Sequence, residues 1–233
     1  MERRGPPGGR RPAVNVRGMR RRKPSSTRWL SRQLNDPYVA EARRRGYRSR
    51  AAFKLIELDR RFRLLRPGRR VVDLGCAPGG WTQVAVARVA RHGVVVGVDL
   101  AETALLTGAT LLFGDIRDSA TLTAINTALG GPADVVLSDM APAATGHAAT
   151  DHLRIVALAE AALAFAETVL RPGGAFVAKV FQGGAEGVLL AALKRDFAVV
   201  RHAKPAASRA ESAETYVVAS GFRGPAGDAR QPC

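Results

Sequence analysis

The chain has 233 residues, 46% of them apolar, enough to enclose one substantial core and to predict one domain with appendages. Two cysteines, Cys76 and Cys233, can build neither a disulfide framework nor a metal cluster, and no apolar run approaches the ~20 residues that cross a bilayer. The net charge of +16 is concentrated early: residues 1–50 hold 16 Lys/Arg against three acids, whereas residues 51–233 hold 20 against 17.

Residues 1–27 are rich in Arg, Gly, Pro and Ser and lack apolar periodicity, so they are expected to be a basic, disordered N-terminal extension drawn to phosphate backbones. A signal-peptide core is missing there, and glycines and prolines would break the amphipathic helix of a mitochondrial presequence. A soluble, cytoplasmic protein in a reducing compartment is therefore expected. Trp29 to Arg45 reads as a short ordered segment closed by Gly46. Ala51, Leu55, Leu58 and Phe62 recur at helical spacing and predict a helix ending before Pro67-Gly68. Lys54 lies at the edge of that apolar face, where a lysine is expected to reach out to water.

The run Val71-Val72-Asp73-Leu74-Gly75-Cys76-Ala77-Pro78-Gly79-Gly80-Trp81 predicts a strand, a tight loop and a helix start. In an open α/β sheet that junction lies at the carboxyl ends of the strands, where ligands bind. Glycines let the backbone approach a ligand, and Asp73 sets a carboxylate beside it. The loop is not G-x-G-x-x-G, and it suits a nucleoside whose tail is an amino acid better than it suits a pyrophosphate.

Further strands are predicted at 94–99, 110–113, 134–138, 175–181, 197–202 and 215–219, with helices at 80–91, 118–129, 151–170 and 186–196. Alternation of this kind makes a mostly parallel sheet with helices on both faces. The last two strands are joined too briefly for a crossover helix and should pair antiparallel. The expected fold class is α/β: a Rossmann-like methyltransferase fold with seven strands, the last antiparallel, spanning 28–221, with a flexible tail at 222–233.

Four acids fall at the ends of strands: Asp73, Asp99, Asp115 and Asp139. Asp99 is placed to accept from ribose hydroxyls, and Asp115-Ile116 offers an acceptor and an apolar wall for a purine. Lys179 is the only charge in Ala175–Phe181, a strand expected to be covered on both faces. A buried ammonium needs a carboxylate, and Asp139 on the neighbouring strand is the predicted partner. Glu214 has no distinguishing feature of its own.

These stretches, together with Ser138-Asp139-Met140-Ala141-Pro142, Lys179-Val180-Phe181-Gln182-Gly183 and Glu214-Thr215-Tyr216, resemble the FtsJ/RrmJ (RlmE) family of S-adenosylmethionine-dependent ribosomal-RNA 2′-O-methyltransferases. Arg28-Trp29-Leu30, Asp36-Pro37-Tyr38-Val39 and Arg48 to Leu55 are more similar to its bacterial ribosomal branch than to the transfer-RNA or cap-modifying branches. The resemblance implies a catalytic set of Lys54, Asp139, Lys179 and Glu214. It also implies cofactor contacts at Gly79, Trp81, Asp99, Asp115 and Asp139, beside those read from the loop at Asp73 and Gly75 and from the wall at Ile116. The implied cofactor is S-adenosyl-L-methionine, and no metal is called for. The implied substrate is a uridine ribose in the A-loop of large-subunit rRNA, late in 50S assembly, with the enzyme acting as a monomer. Two stretches depart from the family pattern. Leu100-Ala101-Glu102-Thr103-Ala104 lacks the usual prolines, and Ala143 stands where Asn is common.

The rival readings are a 2′-O-methyltransferase for another RNA such as tRNA, a nucleotide-dependent dehydrogenase, and a ribosome-assembly factor that binds RNA without catalysis.

Overall fold

The computed structural model describes residues 34–142, 145–181 and 187–224. The expected extension 1–27, Ala143, Gln182-Gly183 and the tail beyond residue 224 lie outside them. Asp36 caps the first helix, α1 (Pro37–Arg44), by accepting the Tyr38 N–H at 3.0 Å, and Pro37 at the first helical position loses nothing by lacking an N–H. Helix α2 (Ala51–Phe62) follows and stops at Arg63, which takes a left-handed conformation.

The remaining elements alternate: β1 (Arg70–Leu74), α3 (Gly80–Val89), β2 (Val94–Asp99), β3 (Thr110–Phe113), α4 (Ser119–Leu129), β4 (Ala133–Ser138), α5 (Ala148–Val169), β5 (Leu170–Phe181), α6 (Val188–Asp196), β6 (Phe197–Ala203) and β7 (Glu214–Phe222). They form one seven-stranded sheet in the order β3-β2-β1-β4-β5-β7-β6. Every pairing is parallel except those of β7, which runs antiparallel between β5 and β6. The predicted hairpin is present. The largest boundary differences are that α5 begins at Ala148, β5 reaches back to Leu170, and β7 runs past the expected 219 to Phe222, the first residue of the expected flexible tail.

Strand alternation sorts the side chains into two cores. Val72, Leu74, Val136, Phe176, Ala178 and Val180 pack with α4, α5 and α6 on one face. Val71, Val95, Val135, Leu137, Ala175, Val177 and Tyr216 pack with α2 and α3 on the other. On this second face the positions of β1, β2, β4 and β5 are all odd-numbered, whereas those of β7, Tyr216 and Val218, are even. Continuing that parity to the strand ends places Asp73, Asp99, Asp139 and Lys179 on the α2–α3 side. No helix among the described residues is long and apolar enough to cross a membrane.

Candidate active site

The parallel register Val135↔Ala175, Leu137↔Val177 carries Asp139 alongside Lys179, and the antiparallel register sets Lys179 opposite Tyr216. Opposed residues share a face, and so do residues two apart on a strand, so Glu214 joins the same group. Helix α2 lies over this face and supplies Lys54.

The resulting cluster is continuous. Lys179 Nζ lies 2.7 Å from Asp139 Oδ1 and donates to the Asp139 carbonyl at 2.8 Å. The Tyr216 hydroxyl donates to Asp139 Oδ1 at 2.7 Å. Lys54 Nζ lies 2.7 and 2.9 Å from the two oxygens of Glu214, and 5.9 Å from the centre of the Tyr216 ring. Ser208 Oγ also donates to Glu214, at 2.7 Å. Arg50 bonds both Asp36 and the Ala207 carbonyl, which fixes the segment that presents Ser208.

Both lysines are only 9% exposed. For Lys179 this is the predicted burial and the predicted partner. For Lys54 it corrects the expectation of a side chain in water: a carboxylate 160 residues away draws the ammonium inward. Burial pushes Glu214 up, but the Lys54 and Lys179 charges outweigh it and hold the carboxyl below its ordinary value. Burial, with the carboxylates of Asp139 and Glu214 adding to it, raises the Tyr216 phenol, so that it stays a protonated donor. Tyr216 is the residue that sequence reasoning left without a role. The available signal was that a Tyr buried in a strand requires a partner for its hydroxyl.

Beside this cluster, on the far side of the glycine loop, lies a cavity of about 570 Å³. Gly75, Asp99, Asp115 and Ile116 line it, as expected, together with Leu100 and Met140. Asp99 Oδ2 accepts the Ala77 N–H at 2.8 Å and Oδ1 the Ala101 N–H at 2.8 Å, which locks the carboxylate at the rim. Asp115 is held below the usual carboxylate range, at about 2, by hydrogen bonds from the Arg117 side chain and backbone. The open acceptor expected at Asp115 is therefore already engaged by a guanidinium.

Four other residues expected at the cofactor site stand back from the cavity. Asp139 is turned to Lys179 and Tyr216, and its neighbour Met140 lines the wall. Trp81 is buried: its indole N–H donates to the Ala51 carbonyl at 2.8 Å and its ring centre lies 5.6 Å from that of Tyr216. Gly79, at φ +107°, lies under the Arg48 guanidinium, which a Cβ would meet at 2.8 Å. Asp73 is fully buried beneath the loop, where Oδ2 accepts from Thr82 at 2.7 Å and Oδ1 has no hydrogen-bond partner among the described residues. In the proline-free stretch after Asp99, Leu100 itself faces the cavity, and Arg48 holds the Ala104 carbonyl at 2.6 Å and the Leu105 carbonyl at 2.5 Å. Among the described residues no group of His, Cys, Asp and Glu is arranged to hold a metal.

A seven-stranded sheet in this order, with its only antiparallel strand next to last and a glycine loop after β1, is the fold of a Rossmann-like methyltransferase. Residues 47–222 match the FtsJ-like methyltransferases, and the chain belongs to that family. It is 63% identical over 214 residues to Ribosomal RNA large subunit methyltransferase E of Acidiphilium cryptum, covering 92% of this chain and 94% of that protein. Its identity to the protein of the same name from Rhodospirillum rubrum is 60% over 226 residues, covering 95% and 86%. A crystal structure described as a ribosomal RNA methyltransferase from Plasmodium falciparum superposes with a TM-score of 0.68 at 31% identity, over 77% of this chain and all of that one.

Proposed function

We propose that this methyltransferase uses S-adenosyl-L-methionine to methylate the 2′-oxygen of a uridine ribose in large-subunit rRNA, in the A-loop and at a late stage of 50S assembly. The observation that carries the reading is the joining of two buried lysine–carboxylate pairs through Tyr216, next to a cavity with carboxylates at its rim. Relatives 60–63% identical that are named for large-subunit rRNA methylation support the choice of substrate.

The cavity suits the donor. Leu100, Ile116 and Met140 give it apolar walls, and Asp99 gives it a hydroxyl acceptor. When bound, S-adenosyl-L-methionine supplies an electrophilic methyl group on a sulfonium. The protein's part is to align the attacking oxygen and take one proton. Lys179, in its neutral form, accepts the proton of the 2′-hydroxyl at Nζ. Asp139 orients that nitrogen through two contacts, Lys54 steadies the oxygen, and Glu214 fixes Lys54. Such an enzyme works in the cytoplasm, where its rRNA substrate is found.

Labelled-methyl transfer to large subunits from cells lacking this gene, followed by ribose-methylation mapping, tests the reading. One uridine should gain the label. Lys179→Ala and Lys179→Arg should both lose single-turnover transfer with donor affinity kept, because a guanidinium stays protonated. A Lys179→Arg enzyme with a near-normal rate would remove the base role and leave Lys179 only an electrostatic one.

A further inference from the structure

The small net charge of residues 51–233 hides a segregation of charge within the folded domain. Residues 60–70 read Arg-Arg-Phe-Arg-Leu-Leu-Arg-Pro-Gly-Arg-Arg, six arginines without an acid. They run from the last turn of α2 to the first residue of β1. They therefore occupy the amino ends of the strands, the end of the sheet opposite the cavity and the lysines. Arg60 and Arg61 lie two turns beyond Lys54, on the order of 10 Å along the helix axis.

The helix dipole favours cations in a last turn, which accounts for Arg60 and Arg61 but not for Arg63 and Arg66 beyond it. All four are exposed, and among the described residues none has a carboxylate at ion-pair distance. The acids nearby are engaged elsewhere. Asp59 takes the Leu65 N–H at 2.7 Å and faces Arg88 at 3.4 Å, and Glu57 takes the Ala206 N–H at 2.5 Å. A hydrogen bond from the Gly68 N–H to the Val89 carbonyl, at 2.8 Å, folds the turn onto the end of α3, where Arg88 and Arg91 are also exposed. Burial, then the charges of Arg66 and Arg171, hold the Arg69 guanidinium below its ordinary value, a sign of crowded positive charge. Between α2 and the β6–β7 connection a hollow of about 340 Å³ is lined by Arg60, Arg61 and Lys204 together with Glu57; Lys204 Nζ donates to the Ala210 and Ser212 carbonyls, which leaves the two arginines as its open cations among the described residues.

We propose that this arginine surface is a second docking site for RNA, gripping the phosphate backbone of a segment distinct from the one that presents the reacting nucleotide. Arginine binds phosphate through a bidentate fork, and these arginines stand on rigid elements. A protein partner would call for apolar anchors, but the exposed large hydrophobic residues (Leu34, Leu100, Leu105, Phe113, Leu153, Val188 and Val199) all lie outside the run. The inference rests on the proposed activity only in its choice of RNA as the polyanion.

The test compares the full chain with an Arg60→Gln/Arg61→Gln/Arg66→Gln variant in binding a generic RNA duplex of about 20 base pairs across a salt series. Each lost phosphate contact lowers the slope of log affinity against log salt by roughly 0.7 to 0.9, so the triple variant should lose about two to three in slope. Donor affinity, and methyl transfer to a short oligonucleotide carrying only the target loop, should be unchanged. An unaltered slope would overturn the inference, and so would an equal loss on the short oligonucleotide. Weaker binding to whole large subunits with duplex binding intact would also overturn it, in favour of an acidic protein. Binding is read without methylation, so the two proposals fail separately. A chain that grips duplex RNA through these arginines but transfers no methyl group keeps this inference and loses the activity. Normal transfer with an unaltered slope does the reverse.

Discussion

At Asp73 one carboxylate oxygen is bonded and the other is alone in a fully buried setting. Burial, with the charges of Asp139 and Asp99 adding to it, pushes the carboxyl up to about 7. The folded chain therefore keeps a proton that the unfolded chain releases near its ordinary value of 3.8. Stability from this group is fullest below that ordinary value and is lost as pH rises through 7, by an amount on the order of 4 kcal/mol. Denaturant unfolding of the donor-free chain at pH 5 and pH 8 should show the fall, and Asp73→Asn should flatten it. Equal pH dependence in the two proteins would mean that the carboxyl is ionised throughout.

The glycine loop is built against its neighbours as well as toward a ligand. Gly75 sits at φ +73°, and a Cβ there would come within 2.9 Å of the Met140 Cα and 3.0 Å of its nitrogen. Gly75→Ala combines a left-handed conformation with an overpacked contact to the backbone of the β4 end, and should cost about 2–4 kcal/mol. Unfolding midpoints measure the cost, and donor affinity should fall further than RNA affinity. Much of this level was legible beforehand. Patterning located all seven strands and the helices from α2 onward, though it showed α1 only as an ordered segment, and Lys179 with Asp139 followed from one charge in a buried strand. Lys54 and Glu214 were recognisable only through the family resemblance, because the contact that defines them spans 160 residues. The standing-back of Trp81, Gly79 and Asp73 from the cavity was not legible, since periodicity gives a side chain's face and not its reach. Nor did local sequence show that Arg117 closes on Asp115, because an exposed pair two residues apart leaves no pattern in hydrophobicity.

Across the whole molecule, charge is arranged in zones. The cavity rim balances Asp99 and Asp115 against Arg117 and Arg154, the lysine pairs beside it are internally neutralised, and the amino ends of the strands carry the arginine surface. Residues 1–24 add nine Lys/Arg against one acid. Because phosphate contacts position and do not specify, deleting residues 1–24 should reduce RNA affinity and flatten its salt dependence while the same nucleotide is methylated. A shift in the methylated position on mapping would show that the extension takes part in choosing the target.

The packing of Trp81 on Tyr216 also equips the molecule with an optical reporter. The chain has two tryptophans, Trp29 and Trp81. In a Trp29→Phe protein all indole emission would come from a ring whose centre is 5.6 Å from the tyrosine that bonds Asp139. Quenching or a spectral shift on adding donor, RNA or both would then follow the state of the lysine–carboxylate cluster in real time, with no label attached.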